Sequence, residues 1–179
     1  MALKPTVYKF KVSLSDLNRS HYDALSLTVA KHPSENDERM MVRLLAFCLN
    51  AQEDLSFGAG LNDVDAPSIT LTTLDDQIAL WVDVGEPAFD RIKKATRKAK
   101  QVKIYSFNTK SDVWWEQGRS QFSQLPVDVY RFNWDEIQSL AGMLERTMDF
   151  SVTISGNSAY IATAKGECEI AWETLQEQA

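Results

Sequence analysis

Asp83 is the residue around which chemistry would be arranged. It stands in "IALWVDVG" (78–85), a run otherwise apolar, and the chain passes through Gly85-Glu86-Pro87 into "FDRIKKATRKAK" (89–100). From Arg91 to Lys103 the chain carries seven basic residues (Arg91, Lys93, Lys94, Arg97, Lys98, Lys100 and Lys103) and no acidic one. A carboxylate on a buried strand beside concentrated cations suits phosphodiester chemistry, with the acid holding a metal ion and the cations the phosphate. The same pattern suits an amphipathic helix packed on a sheet with its charges in water. Either way the carboxylate needs a partner, because an unpaired buried charge is costly. A metal ion, a Lys or Arg, or an exit at the sheet's edge would each serve.

Other chemistries are excluded by what the chain lacks. It has no glycine-rich phosphate loop, no dinucleotide fingerprint and no nucleophile elbow. His21 and His32 are the only histidines, so a histidine-rich metal centre is ruled out, and His32, just before Pro33, reads as a loop-orienting residue. Cys48 and Cys168 lie far apart without metal-type spacing, which fits a reducing cytoplasm. Catalysis would therefore run on carboxylates and lysines, and oxygen ligands suit Mg²⁺ or Mn²⁺. Net charge is −6, which argues against a general nucleic-acid coat protein. Setting aside the seven basic residues of 91–103 leaves 12 basic against 25 acidic residues, so the rest is an acidic body bearing one basic strip. That polarity would orient an anionic ligand in a salt-sensitive way.

The elements that position these residues follow from periodicity. "PTVYKFKVSL" (5–14) alternates, with Tyr8, Phe10, Val12 and Leu14 on one face, and "YDALSLTVAK" (22–31) alternates after a turn at 15–20. Met1–Lys4 leads directly into the first strand without the look of a signal peptide, and no apolar run is long enough to span a bilayer. Ser34 is the expected N-cap of a helix whose first turn holds Glu35, Asp37 and Glu38, with Met41, Leu44, Leu45, Cys48 and Leu49 as its apolar stripe. Arg39 and Arg43 fall largely on another side, and Glu38 reads as a first-turn acid favoured by the helix dipole. Residues 51–66 read as a loop, and Asp75-Asp76 as the connection of a strand pair ending in 78–85. The basic helix then leads to a strand over 101–108, a crossover unit that sets two parallel strands side by side. A helix from Ser111 or Asp112 to near Gly118 follows, then a strand (127–132) and a helix capped by Asn133. Two or three antiparallel strands close the chain, with turns at Gly156-Asn157 and Lys165-Gly166. The expected fold class is α/β in the mixed α+β sense: one domain over 1–179, a mixed β-sheet flanked by helices, with a mainly antiparallel layer from both termini.

"HPSENDERMMVRLLAF" (32–47) and "LWVDVGEPAFDRIKKA" (80–95) closely resemble the corresponding segments of the YaeQ family, and the likeness extends more weakly over "MALKPTVYKF" and the "VWW" at 113–115. The resemblance covers nearly the whole chain. It implies a variant PD-(D/E)XK nuclease-like core with antiparallel strands added from both termini. Nucleases of that superfamily use an acid on the first core helix, one on the second core strand, and a (D/E)-x-K tripeptide on the third. Carried over, Glu38 is the helix acid and Asp83 the third-strand acid, while Gly85 stands where the lysine belongs. Lys94, on the following helix, is the substitute ammonium. For the second-strand acid the match is poor, with Asp65 just ahead of the position and Ala66 and Ser68 in its place.

Two functions follow as expectations. The first is a Mg²⁺- or Mn²⁺-dependent nuclease-like protein acting on DNA or RNA. In it Glu38, Asp83 and Lys94 would be catalytic, Glu38, Asp83 and Asp65 would hold the metal, and Arg91, Lys93, Arg97 and Lys98 would hold nucleic acid. The alternative is a catalytically inactive module of the same fold that binds nucleic acid or a protein partner.

Overall fold

The opening alternation forms a long hairpin. β1 (Thr6–Asp16) and β2 (His21–Lys31) pair antiparallel over their full length, and β1 buries Phe10, Val12 and Leu14. The hairpin turn is fixed by Asp16, whose carboxylate accepts from Asn18 N (3.0 Å) and Arg19 Nε (2.7 Å). The computed structural model describes residues 4–59, 63 and 65–178.

After the hairpin comes α1 (Asp37–Leu49). The stripe of Met41, Leu44, Leu45 and Cys48 is buried as expected, but so is every other residue from Met40 to Cys48, including Arg43. Its N-cap is Asn36, which accepts from Arg39 N at 2.8 Å, rather than Ser34. The Ser34 hydroxyl instead hydrogen-bonds His32 Nδ1 (2.7 Å), holding the turn before the helix.

β3 (Leu55–Phe57) lies within the stretch expected to be loop; three residues are too few for alternation to register. β4 (Ile69–Thr72) and β5 (Ile78–Val84) form the expected antiparallel pair, with Asp76 at φ 62° in the turn, a conformation Asp tolerates better than most residues. α2 (Phe89–Lys98) passes straight into β6 (Ala99–Ser106), which runs parallel to β5 as the crossover reading requires. α3 (Ser111–Phe122) continues past Gly118. A Cβ at Gly118 would stand 2.3 Å from the Phe122 ring, so the glycine makes room for that ring rather than ending the helix. β7 (Val127–Phe132) adds a third parallel strand, followed by α4 (Trp134–Ala141) with the expected Asn133 cap. β8 (Thr147–Ser155), β9 (Ser158–Thr163) and β10 (Gly166–Gln176) form the closing antiparallel meander.

All the described strands belong to one sheet in the order β2-β1-β8-β9-β10-β7-β6-β5-β4-β3. β10 joins its two halves, pairing β9 through Gly166–Ala171 and β7 through Trp172–Gln176. The terminal layer is not antiparallel throughout, since β1 runs parallel to β8. α1 and α4 share the larger core cluster with one face of the sheet, while α2 and α3 cover the opposite face of β5, β6 and β7. The sheet curls until it nearly closes on α1. Arg43 spans the remaining gap between the outermost strands: its Nη2 donates to Ala30 O on β2 (3.0 Å), and its guanidinium lies 5.7 Å from the Phe57 ring on β3. The result is a mixed α+β fold with a large, nearly closed sheet and, among the described residues, four helices.

Candidate functional site

Strand alternation decides where Asp83 points. Leu80, Val82 and Val84 join the core around α1, whereas Trp81 packs with α2 and α3. Asp83 shares the Trp81 parity, so it faces α2. Its carboxylate is buried, and α2 supplies the partner from its first turn. Arg91 Nε donates to Asp83 Oδ2 (2.8 Å) and Nη2 to Oδ1 (3.1 Å), a two-pronged pair. Arg91 Nη2 also donates to Ala66 O (2.8 Å), and its guanidinium lies 5.8 Å from the Trp81 ring. The hydrogen bond from Asp83 raises the Arg91 pKa above its usual value against the opposing effect of burial. Of the three partners open to Asp83 from sequence, an arginine is the one the fold provides.

Gly85 ends β5 at φ +100°, a conformation that favours glycine, and its N–H donates to Tyr105 O (2.8 Å). Glu86 then turns inward. Its Oε2 accepts from Ser106 Oγ (2.8 Å) and Phe107 N (3.1 Å), tying the end of β5 to the end of β6. Around this corner lies a cavity of about 360 Å³ lined by Arg39, Ser68, Asp83, Glu86, Arg91 and Asn108, among others. A smaller one, of about 130 Å³, adjoins it and shares Arg91; its other walls are Asp65, Trp81, Lys94 and Lys98.

Five of the expected site residues therefore meet around Arg91: Asp83 on one side, Asp65, Lys94 and Lys98 on the other, and Arg91 itself between them. Lys94, Arg97 and Lys98 are exposed on α2 and have no ion-pair partner among the described residues, while Lys93 is half-buried with its ammonium 5.9 Å from the Phe89 ring. Glu38 is half-buried in the first turn of α1 and lines neither cavity. Among the described residues no three His, Cys, Asp or Glu side chains gather as a metal ion would require. Both Asp83 oxygens are taken by Arg91, and Asp65 lies beyond that guanidinium. As arranged, Glu38, Asp83 and Asp65 do not fit a Mg²⁺ or Mn²⁺ ion, which needs several hard oxygens converging on one point.

The fully engaged carboxylate near α1 is Glu35. It lies just before the helix and accepts from Arg39 Nη1 (2.5 Å), Arg43 Nε (2.8 Å) and Arg43 Nη2 (2.6 Å). Arg39 reaches on toward Ser68 Oγ (3.4 Å), so it links this buried cluster to the Asp83 cavity. From sequence Glu35 reads as a first-turn acid. The signal that would have found the cluster is its spacing, with arginines four and eight residues later. The cavity at this corner is lined by two guanidinium groups and three carboxylates (Asp63, Asp83 and Glu86) with a hydroxyl and a carboxamide, and exposed amines stand beside it on α2. Those amines can hold an anionic chain; among the described residues no nucleophile and base are assembled.

Fold and site together define a class: a mixed α+β protein with a nearly closed sheet, carrying an Asp–Arg pair at the corner where β5 meets a basic helix. The family profile described as "YaeQ protein" matches residues 1–172. Proteins from Salmonella typhi and Escherichia coli (strain K12), each called "Uncharacterized protein YaeQ", are 36% identical over 178 residues, covering 97% of this chain and 98% of theirs. The crystal structure of YaeQ protein from Xanthomonas axonopodis pv. citri superposes with a TM-score of 0.94 at 30% identity, covering 97% of this chain and 99% of that one. That of YaeQ protein from Pseudomonas syringae gives a TM-score of 0.92 at 32% identity, with 97% of both chains covered. The chain belongs to the YaeQ family.

Proposed function

We propose that this chain is a nucleic-acid-binding module on a PD-(D/E)XK nuclease-like core whose third-strand acid has become half of a structural ion pair. One observation carries the reading: Asp83 is held at both oxygens by Arg91, while Lys94, Arg97 and Lys98 on the same helix stay exposed and unpaired among the described residues. The carboxylate is committed to structure and the amines are available to phosphate. The two free thiols, Cys48 and Cys168, are compatible with a reducing cytoplasm as the working compartment.

Fluorescence anisotropy with labelled DNA and RNA tests the reading. Changing Lys94, Arg97 and Lys98 together to Ala should weaken binding at least tenfold and lower the slope of log K against log salt by about 2–3. Asp83→Asn should leave binding near that of the parent. Metal-dependent hydrolysis, the second reading, needs Arg91 to release Asp83. Mn²⁺- or Mg²⁺-dependent cleavage that disappears in both Asp83→Ala and Glu38→Ala would replace the binding reading with that one. An affinity for oligonucleotides indifferent to the triple substitution would remove nucleic acid as the ligand of α2 and leave a protein partner for the basic face.

A further inference from the structure

A further cavity, of about 390 Å³, opens beyond the carboxyl ends of β6 and β7 and adjoins the Asp83 cavity through Asn108, which lines both. Its walls include Phe107, Phe132, Trp134 and Trp172. Phe107 and Phe132 are buried, and the half-buried tryptophans rest on them: Trp134 stacks on Phe107 (6.2 Å, 21°) and Trp172 meets Phe132 edge-on (6.0 Å, 77°). The charged groups of this cavity are Arg131, Asp112, Glu136 and Glu173. Arg131 is engaged by Asp112 (2.9 Å) and Glu173 (3.4 Å), so the carboxylates outnumber the one guanidinium and already occupy it. Glu136 Oε1 accepts from Ala171 N (2.8 Å). This acidic balance disfavours a phosphate and suits a flat uncharged ring with N–H donors, since aromatic side chains offer stacking and carboxylate oxygens accept from amino groups.

The complementary cations lie past the adjoining cavity, on α2. Within that cavity Arg91 is paired with Asp83 and Arg39 with Glu35, and Glu86 accepts from the Ser106 hydroxyl and Phe107 N–H. Asp63, the third acid there, accepts from Asp65 N. From Arg91 the basic face of α2 continues through Lys94 and Lys98. An aromatic, acid-rimmed cavity joined to a cationic track matches a nucleotide chain that places a base in the first and phosphates along the second.

Resting on the nucleic-acid reading, we propose that the cavity at the ends of β6 and β7 is a base pocket, and that the ligand is single-stranded nucleic acid with one unpaired base seated beside Trp134 and Trp172. A paired base has its ring stacked inside the duplex and cannot enter.

The test compares three probes of about 12 nucleotides by anisotropy: a single strand, the same backbone without bases, and the duplex. The parent protein should bind the single strand about tenfold more tightly than either of the others. Trp134→Leu and Trp172→Leu should each remove most of that preference while leaving the salt slope unchanged. If the parent binds abasic or duplex probes as tightly as the single strand, the base pocket is overturned while the phosphate-binding reading of α2 stands; this comparison needs no variant. If no probe binds the parent at all, the nucleic-acid reading fails and the base pocket with it.

Discussion

The Asp83–Arg91 pair makes an asymmetric prediction. The Asp83 side chain is 4% exposed and that of Arg91 31%. Replacing Arg91 by Met keeps its aliphatic bulk against Trp81 but leaves a buried carboxylate without its cation, a change that costs about 3–5 kcal/mol for fully buried pairs. The partial exposure of Arg91 lets water reach the vacated side, so about 3 kcal/mol is the better figure. Asp83→Asn keeps the shape and an acceptor, and the released guanidinium retains Ala66 O (2.8 Å), the Trp81 ring and solvent, so about 1–2 kcal/mol is expected. The double variant should lie close to Asp83→Asn alone, a coupling of about 3 kcal/mol in a double-mutant cycle. Urea unfolding monitored by circular dichroism supplies the values, provided the slope with denaturant is unchanged. Equal costs for the two single variants with no coupling would refute the argument.

Three further outcomes follow from other parts of the fold. Glu35→Gln removes the charge that neutralises Arg43, 3% exposed, and should destabilise by about 3–4 kcal/mol in urea titrations, more than the same change at Glu38. Gly118→Ala would gain up to about 1 kcal/mol from helix propensity alone, yet the 2.3 Å approach to Phe122 should turn the sign to a loss of about 1–3 kcal/mol, read as a lowered Tm. Burial pushes the Cys168 thiol from 9.0 up to about 11 and Cys48 up to about 12, so at pH 7 Cys168 holds about a hundredfold less thiolate than an unperturbed thiol. Alkylation followed by mass spectrometry should label neither residue quickly in the native protein and both in urea.

Period-two alternation located the β1–β2 hairpin and the closing meander, because each has one face in the core and one in water. The crossover from β5 through α2 to β6 was legible for a related reason: the apolar run of 78–85 has the composition of a strand covered on both faces. Global closure was not legible. A curled sheet around α1 buries Arg43 in a helix whose stripe predicted a single apolar side, and nothing local to residues 37–49 reports that β2 and β3 approach each other across it. Gly118 misled for the opposite reason, since its role depends on a ring four residues later rather than on its own helix propensity.

The site shows most clearly what strand parity adds to spacing. Glu38 and Asp83 look like partners when read as two acids on consecutive core elements, but Leu80, Val82 and Val84 face α1, which leaves Asp83 with Trp81 on the side of α2. An acid on α1 and an acid at position 83 can approach only around the end of β5. The side chain of α1 that lines the cavity there is Arg39, held by Glu35, rather than Glu38. Two arginines, each tethered by its own carboxylate, thus bracket the corner that a hydrolytic centre would fill with acids. Neither arginine is free to drift, because Glu35 and Asp83 fix both in place. Guanidinium groups committed in this way rigidify the corner and leave Lys94, Arg97 and Lys98 as the exposed cations of α2 without an ion-pair partner among the described residues.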